Sequence, residues 1–392
     1  MTRLNALTGL RFVAAAMILI HHASVFGIKL PALALDHGVS FFFVLSGFVL
    51  AYVHPSIGSA YELRAFLWNR VVRVWPAHLV MLFVALILLN LPITWAFPLN
   101  FFLLQAWVPV WDSYFSYNAV SWSISTELGF YLAFPFFIHR WGKTFWWKLP
   151  LATGIVAATI HLSNIYGLTG HRPGTEVTYH GLVYISPLGR ILEFVVGIAG
   201  CSVYRWLKPR IAFGSTVGTG FEIAAVSAFY YTMSGYIVGI FDAGASGPMR
   251  AWLAHSSSLP SCFLVITVFA LGRGYLSRLL SCGVAVLLGE ISYPLYLTHQ
   301  VVYNVYLKNF PRGPNADYVG LSICLIASLG SAYLIWRYVE TPARKFFRIK
   351  TKRLAIVHTA YSQPTTTTGE ASPDGHSGGM PPRGQSPIAA RR

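Results

Sequence analysis

The sequence predicts an all-α fold, a polytopic bundle of about ten transmembrane helices. Of the 392 residues, 55% are hydrophobic and 11% are charged, whereas a soluble domain carries about 25% charged residues. The mean hydropathy of +0.55 is an average over the whole chain, so the apolar residues are not confined to one anchor. About 17–25 apolar residues cross a bilayer, and ten segments have or approach this length. They are residues 8–28, 37–54, 75–91, 119–139, 147–164, 180–205, 217–240, 258–272, 282–307 and 317–338.

Two stretches are too short or too polar to be spans. Residues 97–107, FPLNFFLLQAW, are apolar but brief, which favours a re-entrant or interfacial piece. Residues 349–392 are basic and rich in Pro, Gly, Ser and Thr, so they cannot bury a core and are predicted to be a disordered cytoplasmic tail. We therefore expect an integral-membrane domain at residues 1–348, with the chemistry inside the bundle.

Basic residues are distributed unequally between the loops on the two sides of the predicted bundle. With a cytoplasmic N-terminus, the inner loops and the tail hold Arg64, Arg70, Arg73, Arg140, Lys143, Lys148, Arg205, Lys208, Arg210, Arg273, Arg278, Arg344, Lys345, Arg348, Lys350, Lys352 and Arg353. The outer loops hold only Lys29, Arg172, Arg250, Lys308 and Arg312. By the positive-inside rule both termini are cytoplasmic. This distribution explains the net charge of +16, so no nucleic-acid partner is predicted.

The first span carries two residues that apolar helices normally exclude, Arg11 and His22. Eleven residues advance a helix by about 16 Å and return to nearly the same face, because each residue adds ~100° and ~1.5 Å. His21 misses that face by about 80° and is expected to have no role in the chemistry. Burying ionisable groups in hydrocarbon costs several kcal/mol, so the face shared by Arg11 and His22 is the first candidate for a functional site.

Other ionisable residues lie within later spans, namely Glu127, Arg190, Glu193, Glu290 and His299. The topology places Glu127, Arg190 and His299 in the outer half of the membrane with His22, which predicts one polar cavity. Simpler explanations stay open. Arg190 and Glu193 are i, i+3 neighbours that can pair with each other, Glu127 can bond a neighbouring helix, and His299 can be a packing residue.

Two arginines precede the third span in the sequence RVVRVWPAH, Arg70 and Arg73. They are either positive-inside anchors or ligands for phosphate groups, which the guanidinium fork suits. The predicted membrane domain, residues 1–348, has no Gly-x-Ser-x-Gly elbow, no His-Glu-x-x-His motif and no phosphate loop. Histidine chemistry remains, because an imidazole can take a proton from an attacking hydroxyl near neutral pH.

Intramembrane His, Arg and Glu residues are also found in proton relays, so a secondary transporter or flippase is the alternative to an enzyme. Transporters often contain inverted repeats, and no repeat is visible in this sequence, which counts against that alternative. A non-catalytic membrane scaffold is disfavoured by the number of ionisable residues within the spans.

Seven short motifs in sequence resemble the integral-membrane acyltransferase 3 family, which includes O-antigen acetylases and macrolide 3-O-acyltransferases. The motifs are Leu10-Arg11 with His22; Gly38-Val39-Ser40-Phe41-Phe42-Phe43-Val44-Leu45-Ser46-Gly47-Phe48; Arg70-x-x-Arg73 with Pro76; Trp122-Ser123-x-x-x-Glu127-x-x-Phe130-Tyr131; Arg190-x-x-Glu193-Phe194-x-x-Gly197; Ser292-Tyr293-x-x-Tyr296-Leu297-x-His299; and Glu340-x-Pro342-x-Arg344. The resemblance runs from about residue 4 to residue 348. Many relatives have Asp after Gly-Val, where this chain has Ser40. Many also carry a fused periplasmic domain, so this chain resembles the stand-alone type.

The resemblance implies a multi-pass O-acyltransferase of the bacterial inner membrane. It implies transfer of an acyl group, usually acetyl, from cytoplasmic acyl-CoA to a hydroxyl of a carbohydrate or of a small metabolite such as a macrolide. Acyl-CoA is then a co-substrate, and no bound cofactor or metal is implied. The partners are the lipid bilayer, acyl-CoA and the acceptor.

The resemblance also implies roles for the candidate residues. His22 is the expected general base, with a covalent acyl-histidine as the alternative, and Arg11 is expected to hold the donor near its thioester. Glu127 completes the catalytic group on the acceptor side. The expected ligands of the CoA phosphates are Arg70 and Arg73, and the expected acceptor-side residues are Arg190, Glu193 and His299.

Overall fold

The computed structural model describes residues 4–350, except 30–32, 171, 236–238, 240–244, 312 and 314. Within these residues the fold is all-helical, and the β structure consists of two isolated bridges. The α-helices are α1 Asn5–His22, α2 His37–Val53, α3 Ala60–Leu89, α4 Phe97–Phe101, α5 Trp111–Tyr114, α6 Trp122–Ile138, α7 Trp141–Ile165, α8 Pro187–Leu207, α9 Ser215–Met233, α10 Gly247–Ser256, α11 Leu259–Leu271, α12 Tyr275–Leu280, α13 Gly283–Asn309, α14 Tyr318–Ile335 and α15 Thr341–Phe347. Short 3-10 helices cover Ala23–Phe26, Gln105–Trp107 and Ala119–Ser121, and π-helices cover His180–Ile185 and Trp336–Glu340.

The fold class is confirmed, since each of the ten predicted apolar segments coincides with a helix. Five helical stretches of the described chain are long and apolar enough to cross a membrane, Asn5–Phe26, Ala60–Leu89, His180–Leu207, Gly247–Leu271 and Tyr318–Phe347. Helices satisfy all their backbone hydrogen bonds internally, which is what a hydrocarbon environment requires. The protein is therefore a multi-pass membrane protein.

Two predicted spans differ from the observed helices. The third span was placed at 75–91, but its helix begins at Ala60, so that Arg70 and Arg73 lie on the helix rather than in a loop. Its 30 residues extend about 45 Å, longer than the ~30 Å hydrocarbon layer, so one end can be charged. The eighth segment is short because it continues a preceding helix, and the whole stretch is Gly247–Leu271. The predicted tail, 349–392, lies outside the described residues apart from 349 and 350.

Glycines allow the closest helix contacts. A Cβ at Gly47 of α2 would overlap the carbonyl oxygen of Phe194 on α8, and one at Gly197 of α8 would overlap that of Val44 on α2. A Cβ at Gly289 of α13 would overlap the carbonyl oxygen of Thr8 on α1. Small residues let helix backbones approach in membranes. The close approaches of α2 to α8 and of α1 to α13 fix the helices that carry the site.

The predicted re-entrant or interfacial piece at 97–107 consists of α4 and a 3-10 turn. It is attached to α3 by two hydrogen bonds to its backbone. Nε1 of Trp75 donates to the carbonyl oxygen of Phe101 at 2.7 Å, and Nε2 of His78 donates to that of Asn100 at 2.7 Å. The segment that follows, with α5 and the turn Ala119–Ser121, forms part of the cavity described below.

Candidate active site

The predicted general base, His22, contacts a second predicted site residue, His299. Nδ1 of His22 lies 3.1 Å from Nε2 of His299, and the two rings are stacked with centroids 5.2 Å apart. His299 is fully buried, and its Nδ1 lies 3.3 Å from the carbonyl oxygen of Leu295. The packing of α1 on α13 brings these two histidines into contact although they are far apart in the sequence.

The contacts of this pair assign the protons in its neutral form. A carbonyl oxygen only accepts hydrogen bonds, so Nδ1 of His299 carries the proton and donates to Leu295. Nε2 of His299 is then an acceptor, and His22 donates to it from Nδ1. Nε2 of His22 keeps a free lone pair, which is what a general base requires.

His22 lines a cavity of about 540 Å³, a size typical of small-molecule sites. Aromatic side chains form much of its wall, namely Trp111, Phe115, Trp122, Tyr184 and Tyr296. Its polar lining consists of His21, His22, Asp36, His180, His255 and Gln300. Among the described residues, no group of three or more His, Cys, Asp and Glu side chains is arranged to hold a metal ion. The imidazole and carboxylate groups of the lining suit acid–base chemistry on an organic molecule.

Sequence reasoning missed a second pair in this cavity, Asp36 and His255. Nδ1 of His255 donates to Oδ2 of Asp36 at 2.6 Å, and the His255 ring lies on that of Tyr184 with centroids 3.9 Å apart. Burial raises the pKa of Asp36. The hydrogen bond from His255 and the electrostatic interaction with it lower this pKa by more, so it lies below its usual value. Asp36 is thus a carboxylate at neutral pH.

The only sequence signal for this pair was the position of Asp36. It precedes Ser40, the residue that replaces the expected Asp, by one helical turn. Oγ of Ser40 donates to the backbone oxygen of His255 at 2.6 Å. The start of α2 therefore holds the end of α10 through both residues.

Arg190 and Glu193 form a buried ion pair next to the cavity rather than in its lining. Nε of Arg190 donates to Oε2 of Glu193 at 2.8 Å, and Nη2 donates to Oγ of Ser40 at 2.8 Å. The guanidinium also lies over the ring of Tyr184, 5.0 Å from its centroid. The two side chains therefore pair at i, i+3, and Arg190 contacts Ser40 and the cavity-lining Tyr184. Their acceptor-side role stays a prediction.

A separate arginine cluster lies around the other end of the α1 face. Arg11 interacts electrostatically with Arg73, Glu340 and Glu127, and Arg70 interacts with Arg73 and Glu127. We call these five residues, together with Arg344, the arginine cluster. Nη1 of Arg344 lies 3.3 Å from Oε1 of Glu340.

The position of Glu127 corrects the predicted depth of this residue. It was expected beside His22 in the outer cavity, but it does not line the cavity. Its Oε1 accepts a hydrogen bond from Oγ of Ser46 at 2.8 Å, and its charge faces Arg11, Arg70 and Arg73. Helix α6 begins at Trp122, so Glu127 lies about 7–8 Å further along it, and this distance brings Glu127 to the arginines.

The arginine cluster has more positive than negative groups, four arginines against two carboxylates. The guanidinium of Arg70 lies 5.7 Å from the centroid of Phe66 and 5.9 Å from that of Tyr131, and its buried Nε has no hydrogen-bond partner. An unpaired donor in a positive environment suits an anionic ligand, because guanidinium groups bind phosphate oxygens well.

Comparison with known proteins supports an acyltransferase. A family model described as "Acyltransferase domain" of the acyltransferase 3 type matches residues 4–337. Acyltransferase MdmB of Streptomyces mycarofaciens is 29% identical over 334 residues, covering 76% of this chain and 79% of MdmB.

Two further relatives are more distant or match a shorter segment. O-acetyltransferase OatA of Staphylococcus aureus is 24% identical over 87% of this chain and 57% of OatA. Exopolysaccharide production protein ExoZ of Rhizobium meliloti is 28% identical over 69% of this chain and 77% of ExoZ. No solved structure matches the chain significantly.

Proposed function

The chain belongs to the acyltransferase 3 family, and from this premise we propose that it moves an acyl group, usually acetyl, from cytoplasmic acyl-CoA to a hydroxyl of an acceptor. The observation that carries the proposal is the pair of sites on α1. Arg11 lies in the arginine cluster and His22 lies in the cavity, about 16 Å apart along the helix. One site suits an anionic donor and the other an uncharged acceptor.

The donor side is the arginine cluster. Arg70 and Arg73 would bind the phosphates of CoA, which gives the free donor of Arg70 a partner, and Arg11 would hold the acyl-bearing end of the donor. The flexible arm of CoA would extend along α1 toward His22. This arrangement agrees with the positive-inside rule, because the loops at this end hold clustered basic residues.

The acceptor side is the cavity around His22. Nε2 of His22 takes the proton of the acceptor hydroxyl while the hydroxyl oxygen attacks the thioester carbonyl carbon. The C–S bond then breaks, the acyl group stays on the acceptor oxygen, and the CoA thiolate takes the proton from His22. His299 keeps the His22 ring in the tautomer that this step needs, so His299 acts as a positioning residue.

The acceptor class follows from the cavity wall. Flat aromatic rings with a few polar groups suit a sugar ring or another hydroxylated organic molecule, and the cavity is large enough for one such unit. We therefore favour a carbohydrate of the cell surface, with a small metabolite such as a macrolide as the second acceptor class. The name of ExoZ, an exopolysaccharide production protein, agrees with the first.

Orientation completes the proposal. Both termini and the arginine cluster would face the cytoplasm of a bacterial plasma membrane, and the cavity would face outward. The enzyme would then acylate acceptors on the outer side with an acyl group supplied from within.

The test is acyl transfer by the purified full chain in detergent, with labelled acetyl-CoA and a panel of lipid-linked sugars, oligosaccharides and macrolides. Transfer of label to one acceptor, lost in His22→Ala, is the expected result. Binding or transport of a solute without consumption of acetyl-CoA would instead favour a transporter with an intramembrane relay.

A further inference from the structure

The pair Asp36–His255 lies in the same cavity as His22 and has no role in the step just described. The inference rests on the proposed function. Asp36 lies at the start of α2 and His255 at the end of α10, far apart in the sequence. Their side chains meet at 2.6 Å on the cavity wall. A hydrogen bond this short between a carboxylate and an imidazole is charge-assisted.

Two histidines of the cavity lining, His22 and His255, have opposite electrostatic environments. His22 bonds to another histidine and stacks on it, so its partner carries no negative charge and favours the neutral ring. His255 bonds to a carboxylate and lies on the face of Tyr184, and both neighbours stabilise a cationic ring. Titratable groups in environments that separate their protonation states are typical of an acid and a base in one site.

We propose that His255, positioned by Asp36, is the protonated partner of His22 in acyl transfer. Nδ1–H of His255 is held by Asp36, so Nε2 is the nitrogen that faces a molecule in the cavity. As the acceptor oxygen attacks, the thioester carbonyl bond opens and its electron pair moves to the oxygen. Nε2–H of the imidazolium donates to this oxygen. When the carbonyl bond re-forms and the C–S bond breaks, His255 keeps its proton.

Other titratable groups lie near Asp36 and His255, and they do not change the proposed role of His255. Asp36 also faces His21 and His37, while His255 has His180 nearby with ring centroids 6.0 Å apart. Arg190 and Glu193 lie behind Ser40 and compensate each other's charge. Within the described lining of the cavity, Asp36 is the acidic residue, so it is the negative group that contacts His255.

The test compares His255→Asn, Asp36→Asn and Asp36→Glu in the purified full chain. An oxyanion donor is typically worth about 10²–10³ in rate, so His255→Asn should lower kcat by that factor with a smaller change in the acceptor KM. Asp36→Asn removes the carboxylate that holds Nδ1–H of His255, so it should lower kcat in the same way, whereas Asp36→Glu should keep a kcat near the wild-type value.

Matched controls are His161→Asn and Glu176→Gln, since both residues are exposed and lie outside the cavity lining. Both should keep the wild-type kcat and acceptor KM. A raised acceptor KM with an unchanged kcat in Asp36→Asn would make the pair a binding element and overturn the proposal. Wild-type kcat in His255→Asn would overturn it as well.

A separate comparison, between the wild type and His22→Ala, tests the proposed function independently of His255. Transfer by the wild type that disappears in His22→Ala supports the proposed function whatever His255 does. Absence of transfer by the wild type with every acceptor overturns the proposed function and this inference with it.

Discussion

At the scale of single residues, the two adjacent histidines of α1 differ in their partners. Both line the cavity, but only His22 bonds to His299, and it shares a helix face with Arg11. His21 packs edge-on against His22, with ring centroids 5.3 Å apart. Position in the cavity alone therefore does not distinguish the two histidines, whereas the hydrogen bond to His299 does.

The first prediction concerns these two histidines. General-base catalysis is typically worth about 10²–10⁴ in rate, so His22→Ala should lose detectable acyl transfer at normal membrane abundance. His21→Ala should keep most of the activity because it breaks no contact with His299. The measurement is transfer in membranes matched for protein level. An active His22→Ala beside an inactive His21→Ala would mean that the base has been assigned to the wrong residue.

The second prediction concerns the donor arginines. Lysine keeps the charge but loses the planar fork, and hydrogen bonds to charged groups contribute about 1.5–3 kcal/mol. Arg73→Lys and Arg70→Lys should therefore raise the KM for acyl-CoA about tenfold or more. Neither should change the acceptor KM.

Arg140→Lys is the control for this pair, since Arg140 is an exposed basic residue outside the arginine cluster. It should leave both KM values unchanged. An unaltered donor KM in both cluster variants would show that Arg70 and Arg73 only anchor the protein.

At the scale of elements, helix contacts decide which residues form a site. The crossing of α1 and α13 at Gly289 precedes His299 by ten residues on the same helix. The apolar segments and their helices could be predicted, because hydropathy is a local property of the chain. The pairing of Asp36 with His255 could not, because their helix ends are joined only by tertiary packing. Glu127 was misplaced because counting depth from one loop ignores how far each helix extends.

The third prediction tests the crossing of α1 and α13. A Cβ at Gly289 would overlap the backbone of Thr8, and overpacking typically costs about 1–3 kcal/mol. Gly289→Ala should lower the Tm in detergent. It should also reduce kcat, because moving α13 away from α1 lengthens the bond between His22 and His299.

Gly220→Ala is the matched control, since Gly220 lies in helix α9 and an added Cβ would contact nothing within 4 Å. Alanine is a better helix former than glycine, so this variant should keep or slightly raise the Tm. An equal fall in Tm in the two variants would show that helix propensity, rather than the close contact, explains the effect.

At the scale of the whole molecule, two sites occupy the two ends of one helix face. The arginine cluster and the histidine cavity are both built around α1, and the chain around them supplies different chemistry at each end. The sequence could place Arg11 and His22 on this face because helix geometry is fixed. It could not show that His255 also lines the cavity, since His255 lies in the last turn of a short helix and outside every predicted span.

The last prediction concerns orientation. If the arginine cluster faces the cytoplasm, where acyl-CoA is available, then the loops at that end must be cytoplasmic and the cavity must open to the other side. The clustered basic residues predict the same orientation independently. A reporter that is active only in the cytoplasm, fused after residue 354, should therefore be active, and one fused within the outer loop near Arg172 should be inactive. Cysteine labelling of intact cells should modify a residue introduced near Arg172 but not one near Arg140. A periplasmic signal after residue 354 would require an odd number of spans. It would put the arginine cluster on the side without acyl-CoA, and the donor site would then have to lie elsewhere.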